Sequence, residues 1–451
     1  MDQRYEKYAD QIEKHKQKIL DAERHIWKNP ETGYREWKTH AYMKEQFEAL
    51  GYELLEAGDI PGFYTDIDTG IPGPKIAVFG EMDSLINFSH PECNPETGAV
   101  HSCGHHCQCA GLLGVAIALK APGALDGLCG SIRLIAVPAE EGIEIEFRRE
   151  LKKQGIIQYF SGKMEFLYRG YLDGVDMSFM VHAGTNLEFN CPVGTNGNIL
   201  KKATFRGKAA HAGGKPHLGN NALYAAQTAL TAANALRETF RDEDHIRFHP
   251  IFTKAGVAIN AIPDEVVSES YVRGATLKAV REASEKVNRA YAAAAAAMQC
   301  TVYFEDQHQH APRINDHNLR RIFSDVCLNF LHPEQVNFNK PHGAGCSDLG
   351  DICCVMPCVH PAAGGCYGVS HSAHFGVEDP EFACVLSAKV QASVLCALLS
   401  NDAAEAKKVL AEANVPFKSK EEFFKSIEEM SFEGEGVTYN EDGTVTLRYK
   451  A

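Results

Sequence analysis

Three short apolar runs each end in charged or metal-capable side chains, and this pattern limits the fold more than any other feature of the chain. Lys75–Phe79 (KIAVF) runs through Gly80 into Glu81-Met82-Asp83. Ser131–Val137 (SIRLIAV) runs into Pro138-Ala139-Glu140-Glu141-Gly142, and Asp176–Val181 (DMSFMV) into His182. Unbroken apolar runs of this length suit strands that are covered on both faces, as in parallel sheets. In open α/β sheets the site forms at the carboxyl ends of the strands. The sequence therefore predicts an α/β domain with a mostly parallel sheet, one edge of which collects these polar residues.

Helices frame the runs. Residues 3 to 27 read as a charged amphipathic helix with Tyr5, Tyr8, Ile12, Ile19 and Leu20 as its apolar points. A second helix is predicted from Glu36 to Leu50, with Gly51 placed to end it. The 143–172 stretch reads as a helix-and-loop insertion near the mouth of the site. From 194 to 308 the pattern changes to strand (Ile199–Arg206), helix (Ala222–Phe240), strand (Ile246–Lys254), strand (Glu265–Arg273), helix (Leu277–Met298), strand (Cys300–Phe304). That β-α-β-β-α-β order predicts a ferredoxin-like second domain inserted into the first. The first domain would then span 1–193 and 309–451. In its second part, His317–Asn329 reads as helix, Asp351–Met356 as strand and Pro380–Leu399 as a long returning helix. Val437–Tyr449 reads as a hairpin around Asn440-Glu441-Asp442-Gly443.

Composition narrows the chemistry. A net charge of −14 disfavours nucleic acid and anionic membranes as partners. No run is read as transmembrane, and the charged start MDQRYEKYADQIEKHKQKIL does not suit a signal peptide, so a cytoplasmic protein is expected. Fifteen cysteines in that setting point to free thiols and metal or redox chemistry, not to a disulfide framework.

His101-Ser102-Cys103-Gly104-His105-His106 sets a thiol and an imidazole two residues apart, just before an apolar helix. A two-metal hydrolase needs about four to six N, O or S ligands and a carboxylate that moves protons. The chain offers Cys103, His105, Glu141 and His182, and later His371 in Tyr367-Gly368-Val369-Ser370-His371-Ser372-Ala373-His374-Phe375. Adjacent residues on an extended backbone face opposite ways. Of Glu140 and Glu141, one can therefore bind metal while the other faces substrate as general base. A zinc finger is disfavoured because no second Cys/His knuckle lies at finger spacing. Cys107 and Cys109 read as small core residues, and Cys346, Cys353, Cys354, Cys358 and Cys366 as packed free thiols. His360 and His374 are candidate pocket-wall residues.

These motifs, with His25…Asn29-Pro30-Glu31, Gly207-Lys208-Ala209-Ala210-His211-Ala212, Asn260-Ala261-Ile262-Pro263 and Ser347-Asp348-Leu349-Gly350, carry a resemblance over nearly the whole chain. In their order and spacing the sequence resembles the aminoacylase/carboxypeptidase family of two-metal peptidases. Within it, the sequence is similar to the amidohydrolase branch of N-acyl-amino-acid, hippurate and aminobenzoyl-glutamate hydrolases. The resemblance implies that Cys103, His105, Glu141, His182 and His371 hold two divalent ions per subunit, Zn²⁺ or Mn²⁺ with Co²⁺ or Ni²⁺ as alternatives, and that Cys103 bridges them. Glu140 would be the general base, and Asp83 would orient a ligand from behind. The inserted domain would be a lid and dimerisation module giving a homodimer, with a tetramer of dimers left open. On it His211 would stabilise the oxyanion, while Asn260 and Arg273 would contact the substrate. The implied activity is hydrolysis of the amide bond of an N-acyl or N-aroyl amino acid.

The chain departs from the branch at four places. Glu81 stands where Asp is usual, Ile86 where Pro is frequent, and His106 where Asp or Asn is frequent, and the 143–172 insertion is long. His106 adds an imidazole that alters local ionisation or recruits a further metal. A dipeptidase or aminoacylase of the same superfamily, and a silent metal- or small-molecule-binding scaffold, are the alternatives. The complete ligand set with Glu140 argues against the silent scaffold.

Overall fold

The computed structural model describes residues 2–450. The chain forms two compact units. The first comprises Met1–Gly194, Ile314–Gly343 and Ser347–Lys418, and the second Thr195–Arg313, Ala344–Cys346 and Ser419–Ala451. The C-terminal stretch from Ser419 thus belongs to the second unit, where the sequence pattern alone places it with the first.

The first unit is built on a six-stranded sheet in the order Leu55–Glu56, Phe63–Asp68, Ser131–Val137, Lys75–Glu81, Met177–Phe179, Cys358–Val359. Lys75–Glu81 runs parallel to Ser131–Val137 and to Met177–Phe179, which is itself parallel to Cys358–Val359. Phe63–Asp68 closes one side antiparallel. The two central apolar runs are buried at every position after the first, as strands covered on both faces must be. The helix His105–Ala118 is buried along its whole length and packs on this sheet. A smaller sheet contains Phe189–Pro192, Val336–Lys340, Ala362–Tyr367 and Gly376–Val377, and His182–Thr185 pairs in parallel with Ala362–Tyr367.

Several expectations need adjustment. The N-terminal helix is two helices, Gln3–Lys14 and Lys16–Trp27, separated at His15. The third apolar strand stops at Phe179, and His182 already belongs to the smaller sheet. Asp351–Met356 is not a strand: Leu349–Cys353 is a buried helical turn, and the strand comes later at Cys358–Val359. A short apolar run has the same pattern in either conformation, so periodicity does not separate them. The run after Pro380 begins as a π-helical turn, Glu381–Leu386, and continues as helix Ser387–Glu412 with a break at 400–403. By length and hydropathy the segment 381–412 would pass as a membrane span, contrary to the expectation from sequence. Its apolar window is 83% buried inside the protein, as in the core helix of a globular unit.

The second unit has a five-stranded antiparallel sheet in the order Arg247–Lys254, Glu265–Gly274, Gly197–Arg206, Thr301–His310, Phe432–Glu435. Helices Ala222–Ala235 and Leu277–Ala297 pack on it. The connectivity through residue 310 is β-α-β-β-α-β, and the fifth strand comes from the C-terminal stretch. The last two strands, Val437–Tyr439 and Val445–Leu447, form the expected hairpin.

Candidate metal centre

The strand ends of the first unit converge as the sequence pattern requires. Beyond Glu81 the chain is pinned where Ser84 N donates to Glu31 O at 2.8 Å. The side chain of Glu31 accepts from Lys38 N and Thr39 N at the start of the next helix. Beyond Val137 the chain turns sharply at Ala139, whose φ of 57° is unusual for a residue with a Cβ. Ala139 N is held by Glu36 Oε1 at 2.8 Å, and Glu141 N by Asp83 Oδ2 at 2.8 Å. Gly104, with φ 94°, begins the buried helix, and a Cβ there would lie 2.6 Å from Ala183 Cβ. His371, at φ 68°, is hung on Ser102 O through its own N–H at 2.8 Å.

The result is two donor triads that share one sulfur. Cys103, His105 and His182 form one, and Cys103, Glu141 and His371 the other. Within each, the donor atoms lie within 4.8 Å of one another. Cys103 Sγ is 3.6 Å from His182 Nε2, and His371 Nε2 is 3.4 Å from Glu141 Oε1. His105 Nδ1 meets Asp83 Oδ1 at 3.1 Å, which turns Nε2 toward the donors. His105 Nε2 and Glu141 Oε1 are buried and make no well-formed hydrogen bond among the described residues, although Glu81 Oε2 and His371 Nε2 lie 3.2 and 3.4 Å from them. Buried polar atoms left this way are costly unless something binds them. Sulfur, imidazole and carboxylate donors around a shared thiolate fit a pair of divalent cations.

Glu140 lies beside the two triads and shares members with both. It groups with His105 and Glu141 on one side and with Glu81 and Asp348 on the other. Burial, and then the negative charges of Glu81 and Glu141, raise its proton affinity well above the usual carboxylate range. Burial also pushes the Cys103 thiol well up, and Glu141 adds to this. Burial works against ionisation of Asp83 as well, but the bond to His105 outweighs it and holds Asp83 at about 2.

Of the groups beneath these donors, Lys163, Gln108 and Arg148 carry no role in the sequence motifs. Lys163 is fully buried, with Nζ between Glu81 Oε1 and Asp348 Oδ1. Glu81 Oε2 accepts from Gln108 Nε2 at 2.6 Å and lies 3.2 Å from His105 Nε2. Arg148, also fully buried, donates to the backbone oxygens of Glu141 and Phe160. Lys163 and Arg148 lie in the 143–172 insertion, so that stretch builds the floor of the centre as well as any mouth. The sequence signals are Glu81 at the end of its apolar run and the place of Asp348 in the late Ser-Asp-Leu-Gly motif. His360 is buried with its ring 5.6 Å from that of His182, and His374 is exposed, with its N–H on Ser372 Oγ.

His211, Asn260 and Arg273 belong to the second unit. Ala212 N donates to Asn260 O, and His211 Nδ1 accepts from Gly213 N and Gly214 N. Arg273 lies on strand Glu265–Gly274, and its Nη1 reaches Ala344 O at 3.3 Å.

Residues 77–400 match the model for peptidase family M20/M25/M40. The chain belongs to this family. It is a hydrolase that acts on amide bonds, as the sequence resemblance implied. Among curated proteins it is 26% identical to the Xaa-Arg dipeptidase of Mus musculus over 372 residues, 78% of each chain. It is 28% identical to one of the subunits of the p-aminobenzoyl-glutamate hydrolase of Escherichia coli K12, over 67% of this chain and 60% of that one. It is 31% identical to the indole-3-acetyl-aspartic acid hydrolase of Enterobacter agglomerans, over 59% of this chain and 68% of that one. Among solved structures, a dinuclear metal-binding M20 peptidase from Bacillus subtilis superposes with a TM-score of 0.64 at 20% identity, covering 85% of this chain and 98% of that one. An aminobenzoyl-glutamate utilization protein from Klebsiella pneumoniae gives 0.65 at 19%, covering 86% and 98%. These likenesses establish the mixed α/β fold of the family.

Proposed function

We propose that the chain is a metal-dependent amidohydrolase that cleaves an N-acyl or N-aroyl amino acid. The observation that carries this is the pair of donor triads joined through Cys103, with Glu140 set beside them. Cys103, His105, His182, Glu141 and His371 would hold two divalent cations, with Zn²⁺ or Mn²⁺ the best match to the mixed donors. Such ions polarise a carbonyl and make water a stronger acid.

The chain's own residues do the rest. Burial beside other carboxylates raises the proton affinity of Glu140, which makes its carboxylate a stronger base. It takes the proton of the attacking water and returns it to the departing amine nitrogen. Asp83 fixes the ring of His105 so that one nitrogen faces the donors. Lys163 offsets one of the two negative charges that Glu81 and Asp348 can carry, which limits the negative charge around Glu140. The roles of His211 toward the oxyanion, of Asn260 as a substrate contact and of Arg273 toward the substrate carboxylate rest on the motif resemblance. The substrate class is supported by the hydrolases of aminobenzoyl-glutamate and indole-acetyl-aspartate among the relatives. A homodimer through the second unit is supported by the exposed apolar side chains of Ile251, Val257 and Ile259 on and beside the edge strand Arg247–Lys254. Fifteen free cysteines suit a cytoplasmic setting.

The test is product detection by mass spectrometry from a pooled panel of acyl-amino acids, aroyl-amino acids and dipeptides. The protein is stripped and then reloaded with Mn²⁺ or Zn²⁺. Metal-dependent release from an acyl- or aroyl-amino acid is expected, and Glu140→Gln should abolish it while metal stays bound. Release from dipeptides alone would instead establish the second reading, a dipeptidase. That reading is favoured by the similarity to the Xaa-Arg dipeptidase over 78% of the chain.

A further inference from the structure

Of the five donors around the shared sulfur, His371 is the one at the surface. Its side chain is 56% exposed, whereas Cys103, His105 and Glu141 are buried and His182 is half-buried. His371 sits in the 368–375 loop, which joins the antiparallel strands Ala362–Tyr367 and Gly376–Val377. Residues 367–371 are all exposed. The left-handed backbone of His371 persists only where the surroundings impose it. A ligand on such a loop binds strongly only if its backbone is already held, because binding otherwise has to order the loop.

Two hydrogen bonds hold the backbone of His371. Its N–H donates to Ser102 O, next to Cys103. Its carbonyl accepts from Asn87 Nδ2 at 3.1 Å. Asn87 follows the short strand Leu85–Ile86 and opens a hairpin, 87–98, that returns in Ala99–Val100. Asn87 Oδ1 accepts from Ser89 N at 3.0 Å, which leaves the amide nitrogen to face His371. A second side chain of the hairpin holds the far end of the loop. His90 is buried, and its Nδ1 accepts from Glu92 N at 3.1 Å. The proton of the neutral ring is therefore on Nε2, which donates to Phe375 O at 2.9 Å. Trp27 Nε1 donates to Glu92 Oε2 at 2.8 Å and ties the hairpin to helix Lys16–Trp27.

The hairpin thus grips the ligand loop at 371 and at 375, each time with a side-chain donor on a backbone oxygen. We propose that, on the reading of Cys103, Glu141 and His371 as ligands of one ion, Asn87 and His90 are positioning residues for His371 and set the affinity of that ion alone. The triad of Cys103, His105 and His182 has supports of its own. His105 is held by Asp83, and His182 Nδ1 lies 2.6 Å from Ala183 O. One ion position is therefore fixed from the core, while the strength of the other depends on a contact between two surface loops. Neither Asn87 nor His90 lies in a motif that carries chemistry in the sequence.

The test counts zinc bound per full-length chain across a series of chelator-buffered free Zn²⁺ concentrations. Wild type is expected to reach two ions, and His371→Ala to stop at one over the same range. Asn87→Asp keeps an acceptor for Ser89 N but has no donor for His371 O, so it separates the clamp from the local turn. It and Asn87→Ala are expected to need about tenfold more free Zn²⁺ or beyond for the second ion, as is usual when a partner that orients a ligand is lost, with the first ion unchanged. Asn94→Ala is the control. Asn94 Oδ1 accepts only from Glu96 N and Thr97 N within the hairpin, so this variant should bind both ions as wild type does. His90→Phe keeps a ring but loses the donor to Phe375 O, and it decides the matter should the Asn87 variants not fold; it is expected to weaken the second ion only. Wild-type binding of the second ion in the folded Asn87 and His90 variants would overturn the proposal, and so would equal weakening of both ions. Fewer than two ions in wild type, or two in His371→Ala, would instead refute the two-ion reading and the proposal with it.

Discussion

Asp83 and His105 meet side chain to side chain at 3.1 Å, and the second oxygen of Asp83 holds the backbone N–H of Glu141 at 2.8 Å. One buried carboxylate thus sets both a ring orientation and the position of the carboxylate donor after it. Removing such a partner typically costs about 10–100-fold in metal affinity. Asp83→Ala is expected to weaken zinc binding by that order, measured by competition with a chelating dye. An unchanged affinity would show that His105 needs no such support.

Lys163 should be the most sensitive buried charge in the first unit. It has no exposed surface, and Nζ pairs with Glu81 and, at 2.5 Å, with Asp348. Replacing one member of a buried ion network strands the others, at a cost of about 3–5 kcal/mol. Lys163→Met is expected to lose that much stability in urea unfolding, and Lys163→Met/Asp348→Leu to lose less, since a stranded carboxylate is then gone. A double variant as unstable as the single one would mean that Glu81 alone sets the penalty.

Residues whose roles are legible in the sequence lie at the ends of strong patterns. Glu81, Glu140, Glu141 and His182 follow apolar runs whose period and length leave few choices; the first three lie at the ends of two neighbouring central strands, while His182 opens a strand of the smaller sheet and joins the donors from there. What is not legible is long-range. Nothing near Lys163 in sequence signals that it crosses to Glu81 and Asp348, and the charged character of 143–172 suggests a surface. Likewise Glu23 sits in a helix rich in exposed charge, and only the fold brings it to His106. Asp351–Met356 reads wrongly as a strand because five buried residues have too little period to separate strand from helix. Order along the chain assigns the C-terminal stretch to the first unit, whereas pairing of Phe432–Glu435 with Thr301–His310 decides its place in the second.

Gly162 should tolerate no side chain. A Cβ there would lie 1.8 Å from Pro138 O, the carbonyl two residues before Glu140. Backbone cannot yield as a flexible side chain does, so Gly162→Ala must push the Gly162–Tyr168 helix away from the strand end. Overpacking of this kind costs about 1–3 kcal/mol. The displacement also carries Lys163, so kcat is expected to fall along with the urea midpoint. A variant with wild-type kcat and reduced stability would separate the helix from the chemistry.

Asp66 and Arg133 face each other in register across two antiparallel strands, with Nε–Oδ1 at 2.7 Å and Nη2–Oδ2 at 2.6 Å. Burial alone would raise the Asp66 pKa, but Arg133 and Lys75 outweigh it and hold it below the usual value. A carboxylate whose folded pKa is depressed contributes its stability in full above its unfolded pKa, about 3.9. That contribution is lost as the pH falls through the lower, folded value. Because Asp66 is partly exposed, solvent screening limits the pair to about 1 kcal/mol. Asp66→Asn is therefore expected to lower stability by about that much at neutral pH and to converge with wild type in acid, below the folded pKa. Urea unfolding of both proteins across that range checks it. A gap that persists in acid would assign the loss to packing and hydrogen bonding of the strand pair and not to the charge.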